Sequence, residues 1–261
     1  MTNKLGSRLL AYITLTVIFI AAIYYAFAEE PVGAQQVTEG QESSLNVSQY
    51  PPQSHDAYAG NISELTLFGR SQTKHWQGYW GEITGMITLD DASNWTLYQW
   101  PDDEPQGEIY ATVNSTVDWA SVECFNYSST LQSPNMTVYW ENYHNITYDD
   151  VDGIDETFNR TDHTTFDVGD VTVNGCPTTY TFVNDAYQTT DFAEVLLQDS
   201  SGLLIFSTII EDDTAGSTSD ITGYDGNTHD FQMLVAEDGT SRTAGVRNTA
   251  TTTYYFYVDL Q

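Results

Sequence analysis

Basic side chains are scarce in this sequence: seven Lys and Arg stand against 37 Asp and Glu, for a formal charge of -30. So uniformly acidic a surface repels phosphates at nearly every approach, which excludes nucleic acid as a partner. Cysteine is scarcer still, and two thiols cannot build a multi-disulfide miniprotein or a four-thiolate zinc site. Helix signals are nearly absent. A capping-box pattern, Ser115-Thr116-Val117-Asp118 ahead of Trp119, predicts a single turn within 115–124. No Gly-x-Ser-x-Gly elbow, His-Glu-x-x-His pair or glycine-rich phosphate loop occurs, and His55, His75, His144, His163 and His229 stand without ligand spacing. His229 beside Asp230 reads as a turn residue at a strand entry rather than a base. With so many carboxylates available, no glycosidase pair can be singled out. The expectation is a protein that is not an enzyme and holds no organic cofactor.

What is present is a core. Hydrophobic residues make up 40% of the chain and aromatics 13%, too many for a disordered acidic tail. Leu9 to Ala28 is an uncharged apolar run, preceded by Lys4 and Arg8 and followed by Glu29 and Glu30. Twenty residues at about 1.5 Å each match the roughly 30 Å of a bilayer's hydrocarbon. The basic flank stays inside, so the chain after Glu29 is expected outside the cell. Ala26-Phe27-Ala28 fits signal-peptide cleavage, whereas the length of the run and the interfacial Tyr24 and Tyr25 fit a retained anchor. A pilin-type signal at Gly6 is a third alternative, interrupted by Ser7-Arg8. Retention is the preferred reading, with contact to the membrane through residues 9–28 if they are not cleaved.

Residues 29–60, rich in Gln, Ser, Pro and Gly, read as a flexible linker or stalk. From 61 to 261 short β-branched and aromatic runs alternate with Gly, Asn and Asp, which is strand grammar. Strands are expected at Glu64–Phe68, Gly78–Leu89, Trp95–Trp100, Glu108–Val113, Met136–Trp140, Val171–Val173, Thr178–Val183, Glu194–Gln198, Leu203–Ile210, Phe231–Ala236 and Thr252–Leu260, with a hairpin turn at Asp199-Ser200-Ser201-Gly202. The predicted fold is all-β, an antiparallel β-sandwich or jelly-roll-like domain behind the N-terminal transmembrane or signal helix. A split near Asp162 is the alternative to one extracellular domain.

Export is supported by the Asn-x-Ser/Thr sequons at Asn46, Asn61, Asn94, Asn114, Asn126, Asn135, Asn145 and Asn159. In an oxidising exterior, Cys124 and Cys176 are expected to form one disulfide. The charge imbalance calls for screening by high salt or for bound cations. Asp149, Asp150, Asp152, Asp155 and Glu156 form the densest acidic run, of the hard oxygen ligands calcium takes, although the EF-hand spacing fails. A more diffuse set comprises Glu211, Asp212, Asp213, Asp220, Asp225 and Asp230. Trp76, Trp80, Trp95 and Trp100, with Tyr79 and Tyr98, place large rings around a turn at 90–94. They read either as a cross-strand aromatic core or as a platform for stacking sugars.

Two blocks, HWQGYWGEITGMITLDDASNWTLYQW (75–100) and the Asp-Gly-x-x-x-Asp-Phe-Gln-Met-Leu-Val stretch (225–235) with the closing TYYFYVDL, resemble those of a set of uncharacterised archaeal cell-surface proteins. The resemblance implies an archaeal envelope setting and no chemistry. The functional expectation is therefore a structural, N-glycosylated cell-surface protein, anchored or secreted, that meets neighbouring envelope proteins or copies of itself. A module that binds carbohydrate or a partner cell is the alternative.

Overall fold

The computed structural model describes residues 30–40, 52–73, 75–102, 105–125, 151–211, 221–237 and 252–260. Within them the strands are β1 (Val32–Gly33), β2 (Trp76–Gly81), β3 (Gly85–Asp90), β4 (Thr96–Asp102), β5 (Gly107–Thr112), β6 (Glu123–Cys124), β7 (Phe166–Val168), β8 (Val171–Val173), β9 (Thr178–Tyr180), β10 (Ala193–Gln198), β11 (Leu204–Ile209), β12 (Phe231–Ala236) and β13 (Tyr255–Leu260). The helical elements are a 3-10 turn at Trp119–Ser121 and a one-turn α1 at Ile154–Thr157.

Alternation decides the layers. A seven-stranded antiparallel sheet runs β1-β13-β5-β11-β10-β6, with β9 also on β10, and so draws strands from both sides of Asp162. At its centre Phe206 lies between Ala111 and Leu196, and Ile205 between Thr112 and Leu197. Ile109, Ala111, Leu196, Leu204 and Phe206 point to one face, where they pack with Phe158, Met233 and Val235. Tyr110, Val195, Leu197 and Ile205 point to the other, against Trp119, Phe166, Val168 and Val173. The first face is covered by the β2–β12 pair and the second by the β7–β8 hairpin, giving an all-β, sandwich-like body. Each fully buried Leu, Ile or Phe contributes about 1.5–3 kcal/mol relative to exposure.

The edge of β12 that faces the large sheet is closed by side chains. Thr208 Oγ1 donates to the Gln232 carbonyl at 2.9 Å, Glu194 Oε2 accepts from the Leu234 amide at 2.8 Å, and the Tyr254 hydroxyl donates to the Ala236 carbonyl at 2.6 Å. Buried backbone groups are thereby satisfied without a further strand. Gly107, at the start of β5, has φ +127, and a Cβ there would lie 1.9 Å from the Asp259 carbonyl oxygen, so only glycine fits. The expected disulfide is present: Cys124 on β6 is bonded to Cys176, with Cα atoms 4.9 Å apart.

Several sequence expectations need correction. Gly78–Leu89 is not one strand: β2 ends at Gly81 and β3 starts at Gly85, in different sheets, because Asp230 Oδ2 captures the Ile83 amide at 2.6 Å. Glu64–Phe68 forms no strand and is exposed throughout. At 115–124 the Asp118 preceding the 3-10 turn makes no side-chain cap, while Asn114 Oδ1 takes the Thr116 amide instead. The stretch read as a stalk contributes β1, which pairs with Tyr257 and Val258 of β13. Met136–Trp140 and the apolar run 9–28 lie outside the described residues. No helix among the described residues is long and apolar enough to cross a membrane.

Candidate functional site

The aromatic strands separate into two environments. Trp76 opens β2 and turns into the core, its ring 6.0 Å from Phe158 and 6.3 Å from Phe206, with Nε1 donating to the Asp152 carbonyl at 2.8 Å. Trp80, two repeats of the pleat further on, is 41% exposed. The other rings stand on the β3–β4 hairpin, where every residue from 86 to 101 is exposed. Trp95 is 76% and Trp100 49% exposed, and Tyr98 packs 4.8 Å from Trp100 at an interplanar angle of 60°. The four tryptophans thus do not form one surface: Trp76 is structural, Trp80 belongs to the β2–β12 sheet, and Trp95 and Trp100 share the hairpin.

Trp80 covers His229, with ring centroids 4.4 Å apart, and Tyr224 stacks on the same imidazole at 6.2 Å. His229 lies at the entry to β12, past the turn at Tyr224 and Asp225. It is buried, with Nε2 3.0 Å from Asp225 Oδ1 and Nδ1 3.6 Å from Glu82 Oε1. Gly223 makes room for it, since a Cβ there would meet His229 Cδ2 at 2.5 Å. Hydrogen bonds from the Asn227 side chain and amide hold the Asp225 carboxyl below its ordinary range. Partial burial, then Asp230, pushes Glu82 up. The result is a fixed patch of two half-exposed rings rimmed by carboxylates, with an imidazole clamped beneath. It can present flat apolar faces and hydrogen-bond acceptors to a ligand.

Glu108, Glu194 and Asp259 are carboxyls buried in the large sheet, and Glu211 is half-buried just past the end of β11. Glu108, 4% exposed, lies on β5 directly opposite Asp259 of β13. Burial first, then Asp259 and Asp167, pushes its carboxyl up to about 8. Burial, followed by Glu108, also carries the Tyr110 phenol far above its ordinary range. Glu194 is fully buried, and the loss of water raises it well above the carboxylate range despite the Leu234 amide. Glu211 is pushed up to about 7, chiefly by burial, while it accepts from the Phe192 amide. None of these adjoins the exposed rings of the hairpin in the strand pairing. The chemistry of Glu108 and Glu194 is that of neutral acids inside a β framework.

The acidic run is used for anchoring where it is described. Asp152 accepts from Thr73 Oγ1, contacts His75 Nδ1 at 3.1 Å and lends its carbonyl to Trp76, tying β2 to the segment before α1. Asp155 and Glu156 occupy the first turn of α1, and Asp149 and Asp150 lie outside the described residues. In the second acidic set, Asp230 holds Ile83 and Asp225 holds His229, while Asp212, Asp213 and Asp220 lie outside. Among the described residues no three His, Cys, Asp or Glu side chains gather to hold a metal.

The sequons differ in what their amides do. Asn114 Nδ2 donates to Asp199 at 2.7 Å, and Asn159 Nδ2 donates to the Glu156 carbonyl at 2.8 Å. Asn61 and Asn94 are exposed, and Asn46, Asn126, Asn135 and Asn145 lie outside the described residues.

Comparison with protein-family models, curated proteins and solved structures finds no match to this chain. The pairing of Trp80 with Tyr224 and His229 escapes sequence reasoning because more than 140 residues separate the strands. Glu194 did leave a signal: it stands in phase with Leu196 in the apolar run AEVLLQ, a position only a buried side chain takes.

Proposed function

We propose that this chain is a structural protein of the cell surface, exported, N-glycosylated and held outside the membrane by its N-terminal apolar segment. In this reading residues 1–28 are the anchor or signal helix and 29–60 a tether partly clipped to the sheet. The β body contributes to an envelope layer beside neighbouring envelope proteins or further copies of itself. The observation that carries it is the Cys124–Cys176 disulfide, which fastens the edge strand β6 to the segment after β8 and suits an oxidising exterior. The basic-flanked apolar run, the sequons and the resemblance to archaeal surface proteins agree with it. So does the large excess of acid, which suits a salt-rich surrounding or calcium bound at the acidic run. The test is fractionation of native cells with determination of the N-terminal residue and non-reducing peptide mapping. The expected protein sediments with the envelope, begins at Met1 or Thr2 and carries the Cys124–Cys176 bond. A cytoplasmic protein with both thiols free would overturn the proposal, and a chain beginning at Glu29 would replace the anchor with a cleaved signal.

The exposure of Trp80, Trp95 and Trp100 favours a second reading, a module that binds carbohydrate or a partner cell. Titration with envelope polysaccharides while tryptophan emission is followed checks it. Saturable quenching that Trp80→Ala or Trp100→Ala removes is the expected result, and emission indifferent to every polysaccharide would refute it.

A further inference from the structure

Among the described residues nothing covers one apolar face of the β3–β4 hairpin. Its register sets Ile87 opposite Trp100 and Leu89 opposite Tyr98, so these four side chains share one face, while Thr88 and Gln99 turn to the other. The four are between 49% and 59% exposed. A second copy of the chain is a poor cover, because each copy carries a charge of -30. An uncharged, hydroxyl-rich ligand with apolar C–H faces meets no such repulsion.

The turn of the same hairpin carries a sequon, Asn94-Trp95-Thr96, and is built to hold it open. Asp91 organises the turn: its Oδ1 accepts from the Ser93 amide at 2.8 Å and the Trp95 amide at 2.9 Å, its carbonyl accepts from the Asn94 amide at 2.9 Å, and its own amide donates to the Trp95 carbonyl at 3.0 Å. Asn94 adopts φ 62, the left-handed conformation asparagine tolerates best after glycine. Its side-chain amide enters none of these bonds, in contrast to those of Asn114 and Asn159. A group attached to Asn94 Nδ2 therefore costs the fold no hydrogen bond. Tyr98 lies about 13 Å and Trp100 about 20 Å along the strand from Asn94, within reach of a short oligosaccharide.

We propose that Asn94 carries an N-linked glycan that folds back along the hairpin and lays its sugar faces on Tyr98 and Trp100. The inference rests on the reading of the chain as exported and glycosylated. Pyranose C–H bonds carry partial positive charge and meet the negative faces of the two rings, and water is displaced from the apolar strip formed with Ile87 and Leu89. The glycan is then the missing layer of the hairpin.

The experiment uses full-length protein isolated from its native cells, as wild type and as Asn94→Gln, Thr96→Val and Thr96→Ser. Thr96→Val removes the sequon and keeps a β-branched strand residue, whereas Thr96→Ser keeps the sequon. Glycopeptide mapping is combined with hydroxyl-radical footprinting of Tyr98 and Trp100, with Trp80 as internal reference. The expected result is a glycan on Asn94, and several-fold faster oxidation of Tyr98 and Trp100 in Asn94→Gln and Thr96→Val, with Thr96→Ser and Trp80 unchanged. A glycan at Asn61 with Asn94 bare would overturn the inference and leave the exported reading intact, whereas no modified sequon anywhere would overturn both. An occupied Asn94 whose removal leaves ring oxidation unaltered would overturn the stacking. Protection that disappears on diluting the protein would assign the face to a second copy and likewise overturn it.

Discussion

Glu108 offers the most direct test of how this fold handles buried acid. In the unfolded chain its carboxyl ionises near 4.5, while in the fold burial and the facing Asp259 push it up to about 8. The folded state therefore keeps a proton that the unfolded state releases. Stability associated with this group is fully present below pH 4.5 and declines as pH rises through the window to about 8. At about 1.4 kcal/mol per pH unit the loss across that window is about 3–5 kcal/mol. Glu108→Gln has nearly the same shape, cannot ionise and can donate its amide to Asp259. Its stability relative to wild type should climb by about that amount between pH 4.5 and 8, and then level off. Urea unfolding at half-unit pH steps in a constant molar KCl background measures this, since salt suppresses the general repulsion among the carboxylates and the difference between the two proteins isolates the one site. Two curves that stay parallel from pH 4.5 to 8.5 would refute the reasoning, because they would mean that Glu108 ionises in the fold as it does in water.

The other predictions concern ties described above. Cys124→Ser with Cys176→Ser should lower stability by about 4 kcal/mol, the chain-entropy value for a loop of about fifty residues, and the urea midpoint of the reduced wild type should match it. Gly107→Ala should cost about 3 kcal/mol or more, because the new methyl collides with the Asp259 carbonyl and φ is positive; a melting temperature within a degree or two of wild type would refute the placement of β13 on β5. Glu194→Leu should cost about 1–3 kcal/mol and expose the Leu234 amide to hydrogen exchange, while Glu194→Gln, which keeps an acceptor, should protect it; equal exchange in the two would refute the bond.

Local signals were sufficient where a strand's partners lie nearby or where both of its faces are buried. Val171–Val173 and Phe231–Ala236 appear with the bounds that alternation implies, and the Asp199–Gly202 turn joins β10 to β11, with Asp199 Oδ1 holding the Ser201 and Leu203 amides. Failures came where a distant group decides. Ile83 and Thr84 have strand propensity, yet the carboxylate of Asp230 breaks the run there. Leu65, Leu67 and Phe68 form a good strand pattern that finds no neighbour to pair with among the described residues, and they are exposed. The aromatic block showed that rings mattered but could not show how they divide, because Trp76 is drawn inward by Phe158, Phe206 and Asp152, all contributed by later parts of the chain.

The pairing of β1 with β13 gives the tether a mechanical character. In the anchored reading proposed above, tension arriving from residue 30 would be met first by Val32 and Gly33, which grip the edge of the sheet through two residue pairs and the Ala34 amide on Phe256. So short a grip peels bond by bond and yields long before the central strands. Behind it the chain runs on to Trp76, a length of roughly 140 Å when drawn straight. Under the attachment proposed above, a pull on the N-terminal side would open this grip before it strained the core strands. Further along, Asp152 fastens Thr73, His75 and Trp76 at the start of β2 from a remote segment. Under that attachment the two-residue strand would act as a fuse, sparing β5, β10 and β11 from the pull.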